Sequence, residues 1–168
     1  MCRSIVTVIV VWGMAALSGA AFGQQQSQKE QLLGSWSLVS IYYVRADGSK
    51  STTFGDNPNG MAVFDSSGHY IITQMRSDRA KYAANDRTKG TADENRATAH
   101  GTITHFGTYT VSEPDRTIGL HVVGSSYPNW NGANQKRVFT VSGDELKLTN
   151  PAPSTGGGTT EVVFKRVK

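Results

Sequence analysis

Gly60-Met61-Ala62-Val63-Phe64-Asp65-Ser66-Ser67-Gly68-His69-Tyr70-Ile71-Ile72-Thr73-Gln74-Met75 decides the fold class. Two β-prone segments, Gly60 to Phe64 and His69 to Met75, are separated by the turn-forming residues Asp65 to Gly68. That arrangement is a hairpin. The scheme repeats downstream. Ile103 to Val111 and Thr117 to Ser125 flank Glu113-Pro114-Asp115-Arg116. Gln135 to Val141 and Glu145 to Asn150 flank Ser142-Gly143-Asp144. A loop of Pro, Gly, Ser and Thr, Pro151 to Gly158, leads into a last strand, Thr159 to Val167. Upstream, Trp36, Leu38, Ser40 and Tyr42 alternate with Ser37, Val39, Ile41 and Tyr43. A period of two reads as a strand with both faces partly covered. Asp47-Gly48 ends it with a turn. About eight strands joined in sequence, with little helix, predict an all-β chain. Antiparallel hairpins in that number close most simply as an eight-stranded up-and-down barrel.

Composition agrees. The chain has 168 residues, enough for one domain. Its 18 glycines are about one residue in nine, above the usual ~7%, as a turn-rich chain requires. Lys and Arg number 17 against 13 Asp and Glu, a small and scattered excess. A nucleic-acid binder would concentrate such charge in a stripe, so none is expected as a partner.

The start reads as an export leader. Arg3 precedes an apolar run from Ile5 to Leu17, and small residues follow up to Gly23. This is the pattern of a secretory signal peptide over residues 1–23, with cleavage after Gly23 or Ala21. The competing reading is an uncleaved anchor, for which the apolar run falls short of the ~20 residues of a spanning helix. Gln24 to Glu30 reads as a linker, with Gln28 to Leu33 able to form a helical turn, and 31–168 as the barrel. The expected location is outside the cytoplasm, periplasmic or secreted, with no stable membrane insertion after cleavage. The single Cys, Cys2, leaves with the leader, so stability must come from a core without disulfides.

Residues 77–100 interrupt the β rhythm. They are charged, and Thr91-Ala92-Asp93-Glu94 forms a helix capping box. Asp78 to Ala84 reads as another short helix. The insertion is either a solvated face or a lid over one barrel end.

Several stretches resemble the lipocalin-like domain family of small bacterial and fungal calycin-type barrels. They are Leu33-Gly34-Ser35-Trp36-Ser37-Leu38-Val39-Ser40, Asn59-Gly60, Phe106-Gly107-Thr108-Tyr109-Thr110-Val111 and His121-Val122-Val123-Gly124-Ser125-Ser126-Tyr127-Pro128-Asn129-Trp130-Asn131-Gly132, followed by Gln135 and Arg137. The resemblance runs from about Gln31 to Arg166. It implies a barrel that holds a small apolar or amphipathic ligand, without fixing a reaction. It also implies that Trp36 plugs the closed end with Arg166 packed across it. Some relatives are associated with secondary-metabolite pathways, which keeps an enzyme in view.

Alternate side chains of a barrel strand point into the lumen. The sets open to choice are Ile103, His105, Gly107, Tyr109 and Val111; Gly119, His121 and Val123, against Ile118, Leu120 and Val122; Gln135, Arg137, Phe139 and Val141; and Tyr70, Ile72 and Gln74. Both sets of the His121 strand contain apolar residues. If the residues that match the family face inward, Tyr109, His121, Gln135 and Arg137 line the lumen. His121 then serves as acid or base, with Arg137 and Tyr109 holding an oxyanion. The ligand-binding set adds Tyr70, Gln74 and Trp130. The plainer alternative pairs Arg137 with a carboxylate such as Glu161 and His121 with a neighbouring backbone group. His69 and His105 default to the surface. Tyr127, Pro128 and Trp130 form either a rim at the barrel mouth or a packed corner.

The four His, at 69, 100, 105 and 121, lack ligand spacing, so no metal is expected. Phosphate-binding Gly loops and a nucleophile elbow are absent, and no cofactor is expected. Binding of a small molecule in the lumen leads. A lyase, isomerase or cyclase acting on a small carbonyl or carboxylate compound competes with it, as does a structural envelope protein with a filled core.

Overall fold

The computed structural model describes residues 26–168, so the leader and its cleavage site lie outside the described residues. Eight antiparallel strands close into a barrel: β1 (Gly34–Val44), β3 (Asn59–Phe64), β4 (His69–Met75), β5 (Thr102–Ser112), β6 (Thr117–Ser125), β7 (Asn134–Ser142), β8 (Glu145–Asn150) and β9 (Thr159–Arg166). Each pairs with the next, and β1 closes the ring on β9, from Trp36 opposite Arg166 to Val44 opposite Thr159. A ninth strand, β2 (Lys50–Thr52), extends a ribbon from the end of β1. It follows the Asp47-Gly48 turn, where Gly48 takes a φ of +82°.

One end of the barrel is packed shut. Helix α1 (Gln28–Leu32) starts on a capping box in which Ser27 and Glu30 bond each other's backbone N–H. It delivers the buried Leu32 to the core. The helical turn read over Gln28 to Leu33 thus forms, and it takes in residues 28–30 at the end of the expected linker. Trp36 is fully buried and donates its indole N–H to the Leu32 carbonyl at 2.9 Å. Above it lie Phe64, Tyr109, Phe139, Leu146 and Phe164. The Phe64 and Tyr109 rings meet edge to face, 5.2 Å between centroids. This aromatic and aliphatic filling supplies the hydrophobic stabilisation that a disulfide-free domain needs.

The strand β6 face is decided by packing. Ile118, Leu120 and Val122 are buried, so Gly119, His121 and Val123 point outward by strict alternation. On β5 the inward set is Ile103, His105, Gly107, Tyr109 and Val111. A register shift between Phe106 and Gly107 brings the backbones of β5 and β6 very close. A Cβ at position 107 would sit 1.9 Å from the His121 carbonyl oxygen, so only Gly fits there.

Residues 76–101 cross between β4 and β5. Helix α2 (Ala92–His100) begins on the expected Thr91–Glu94 capping box. The helix expected at Asp78 to Ala84 does not form. The second Glu94 oxygen takes the Ala83 N–H at 2.8 Å, and Asn85 adopts a φ of +48°, both of which fix a turn instead. A single 3-10 turn, Arg87–Lys89, follows. Among the described residues no helix is long and apolar enough to cross a membrane.

Candidate functional site

The other end of the barrel is open. A hollow of about 590 Å³ lies between the last residues of β4, β6 and β8 and the first of β5 and β9. Ile41, Phe54, Ile103 and Trp130 give it apolar walls, and Gln74 and Asn150 add amide groups. Ala99 and His100 bring the end of α2 to its edge. Tyr127, Pro128 and Trp130, on a 3-10 turn after β6, line it too, as a rim would. Below lies a chamber of about 30 Å³. Gln74, Ile103, Trp130, Asn150 and Thr160 border both spaces, so the two adjoin.

His105 and Arg137 line the chamber, each only 5% exposed. His105 Nδ1 and the Tyr70 hydroxyl share a hydrogen bond of 2.9 Å. The His105 ring meets Trp130 edge to face at 5.3 Å, and Trp130 meets Tyr127 likewise at 5.7 Å. The Arg137 guanidinium carbon stands 5.9 Å from the Trp130 ring centre. Its Nη1 donates to the Lys136 carbonyl at 3.1 Å, and its Nη2 to the Gln135 side-chain oxygen.

Burial sets the charges. It pushes the His105 ring down to about 3, and the positive charge of Arg137 pushes the same way. Burial raises the Tyr70 hydroxyl to about 12, against the pull of Arg137. It lowers Arg137 to about 10. At neutral pH, Tyr70 and His105 are therefore uncharged and Arg137 is a cation.

The residues expected at the site divide by where they point. Tyr70, Gln74, Trp130, Gln135 and Arg137 face inward, with Tyr70 and Gln135 holding His105 and Arg137 from behind. His121 does not. It is exposed on the outer face, where Nδ1 pairs with Asn134 Oδ1 at 2.9 Å, so its placement in the lumen is corrected. Tyr109 points inward but belongs to the closed end. Its hydroxyl donates to the Asp65 carbonyl at 2.7 Å, and it borders neither the mouth nor the chamber. Neither residue can hold an oxyanion in this hollow. Glu161 is not the partner of Arg137, because its carboxylate pairs with Lys50 at 2.5 Å outside the barrel. His105, expected at the surface, is the histidine of the lumen. Alternation on β5 had grouped it with Gly107 and Tyr109, and that signal locates it. His69 is exposed in the β3–β4 turn, beside Asp65. Among the described residues no three metal-ligating side chains gather.

The family model of the lipocalin-like domain matches residues 33–167, from the end of α1 past the last strand. The chain belongs to the lipocalin-like domain family. The matched span includes the whole closed ring and every residue that borders the two hollows. Two features expected of a lipocalin-like barrel follow in the geometry: Trp36 seals the closed end, and the Arg166 guanidinium lies over it with Cζ 4.0 Å from the ring centre. No curated protein matches the chain.

Proposed function

We propose that this protein is an exported lipocalin-like barrel that holds a small apolar or amphipathic molecule in the open end of its lumen. The supporting observation is the mouth hollow. Its 590 Å³ falls in the ~300–1,000 Å³ range of small-molecule sites, and its walls combine apolar side chains with a few amides, as such sites do. Thr53 adds a buried hydroxyl oxygen at the hollow, without a hydrogen-bond partner among the described residues. A bound polar group would satisfy it. A purely structural barrel would fill both ends, whereas side chains fill only the Trp36 end here. The enzyme alternative loses its acid/base candidate with His121 outside. His105 stays neutral down to about pH 3, which makes it a poor proton carrier near neutrality. Export rests on the leader pattern of residues 1–23.

The test is titration with a neutral naphthylamine fluorophore. The wild type is expected to bind it with a blue-shifted emission. Ile103→Trp, which fills the hollow, is expected to abolish that signal while the protein stays folded. No binding by the wild type, together with no small molecule retained by protein from its host in native mass spectrometry, would refute the proposal.

A further inference from the structure

Among the described residues, Arg137 is the buried side chain that carries a charge at neutral pH. No carboxylate oxygen of the described residues lies within 4.0 Å of it. No Asp or Glu borders the mouth hollow or the chamber. The Tyr70–His105 pair behind the chamber is neutral and offers no counter-charge. A guanidinium has five N–H donors. Two are used, on the Lys136 carbonyl and the Gln135 amide oxygen. The others have no partner among the described residues. A cation taken out of water without an anion is costly, and such groups are found paired.

The site has the geometry to receive that anion from outside. Arg137 borders the chamber, and the chamber adjoins the mouth hollow past Trp130 and Ile103. The chamber, about 30 Å³ against 590 Å³, is much the smaller of the two spaces, so it suits a compact head group while the bulk of a ligand stays in the mouth hollow. Two oxygens are what a carboxylate presents, and a guanidinium fork grips them by paired, charge-assisted hydrogen bonds. A planar carboxylate matches that fork and is smaller than a tetrahedral phosphate or sulfate, so the narrow chamber favours it. The apolar walls begin immediately above, at Ile103, Ile41 and Phe54.

We infer that the ligand is an amphipathic carboxylate, seated head first with its carboxylate on Arg137 and its apolar part in the mouth hollow. This rests on the binding function proposed above and names its ligand class. The occupant supplies the negative charge that the fold omits.

The test is displacement of the neutral fluorophore from the purified protein by dodecanoate, dodecanol and dodecyl phosphate at neutral pH. Dodecanoate is expected to compete about tenfold or more better than dodecanol, since a hydrogen-bonded charge at a buried site contributes at least that much. Dodecyl phosphate is expected to fall well short of dodecanoate. Arg137→Met is expected to lose the preference for the acid, so that dodecanoate and dodecanol compete alike on it. Equal competition by dodecanoate and dodecanol on the wild type would overturn the inference while leaving the binding function standing. So would a preference that survives in Arg137→Met, or a stronger effect of the phosphate. The wild-type comparison decides even if the variant does not fold. Failure of the fluorophore itself to bind would remove both the binding function and this inference.

Discussion

Arg166 packs over the Trp36 ring and ties two parts of the chain together. Its Cζ is 4.0 Å from the indole centre, while Nη1 donates to the Leu33 carbonyl at 2.8 Å and Nη2 to the Gln31 carbonyl at 2.5 Å. The last strand thereby caps helix α1, whose final carbonyls have no partner within the helix. Gly34 makes room for it. Its φ is +112°, and a Cβ there would lie 3.3 Å from Arg166 Nη1.

Trp36→Ala is expected to destabilise the barrel by about 3–5 kcal/mol, because it opens a cavity in the sealed end. Arg166→Ala leaves the ring but removes the carbonyl bonds and the face contact. The double variant should be less destabilised than the sum of the two, with a coupling of about 0.5–2 kcal/mol. Urea unfolding of the four proteins measures it. Strict additivity would mean that the stacked geometry contributes nothing.

The close approach at Gly107 makes a sharper prediction. Even one methyl group there meets the His121 carbonyl oxygen at 1.9 Å, and backbone cannot move aside as a side chain can. Gly107→Ala is expected to part β5 from β6 and lower the melting temperature markedly. By contrast, Gly132→Ala meets no atom within 4 Å and strains only the turn, where φ is +75°. It should cost about 1 kcal/mol. Thermal melts of the two variants give the comparison, and equal losses would contradict the bulged register.

His105 makes the barrel sensitive to acid in a defined window. Burial depresses its folded value to about 3, against the ordinary 6.5 of an imidazole. Below about pH 6.5 the unfolded chain takes up a proton that the folded ring refuses. Stability is therefore full above that pH and falls as pH drops toward 3, by ~1.4 kcal/mol per pH unit from this group alone. His105→Gln is expected to flatten that part of the stability curve while leaving stability near pH 8 within reach of the wild type. Denaturant unfolding across pH 4 to 8 reads the difference. Parallel curves for the two proteins would show that His105 is not held neutral by burial.

Turns and alternation make most of the ring legible in the sequence. The hairpins around Asp65 to Gly68, Glu113 to Arg116 and Ser142 to Asp144 occur where turn residues interrupt β-prone segments. Strand β2 escaped notice because three residues carry no readable period. The face of β6 was ambiguous for a physical reason. Val122 and Val123 are equally apolar, so hydrophobicity does not say which one the core takes, and His121 went with the wrong set. His105 was readable by alternation, but a lone histidine suggests water. Only the Tyr70 bond and the Trp130 contact, both long-range, explain its burial.

Arg137 itself should destabilise the fold in which it is found. Burial lowers it to about 10, well below the ordinary value of a guanidinium, so the folded protein accommodates the cation less well than the unfolded chain does. Both states are charged at neutral pH, and the penalty is constant there. It is relieved only where pH rises through about 10 and the folded side chain gives up its proton first. Methionine has similar length and no charge to desolvate, and the half-buried Gln135 amide that it would leave behind can turn to water. Arg137→Met is therefore expected to raise stability by about 1–3 kcal/mol in the absence of ligand, as replacement of buried charges by apolar residues commonly does. Most large-to-different substitutions inside a core do the reverse. Urea unfolding at pH 7, without added ligand, measures the change. A gain would identify Arg137 as a residue retained at a stability cost for what it binds. A loss of comparable size would instead make it a structural tie, held by Gln135 and the Lys136 carbonyl.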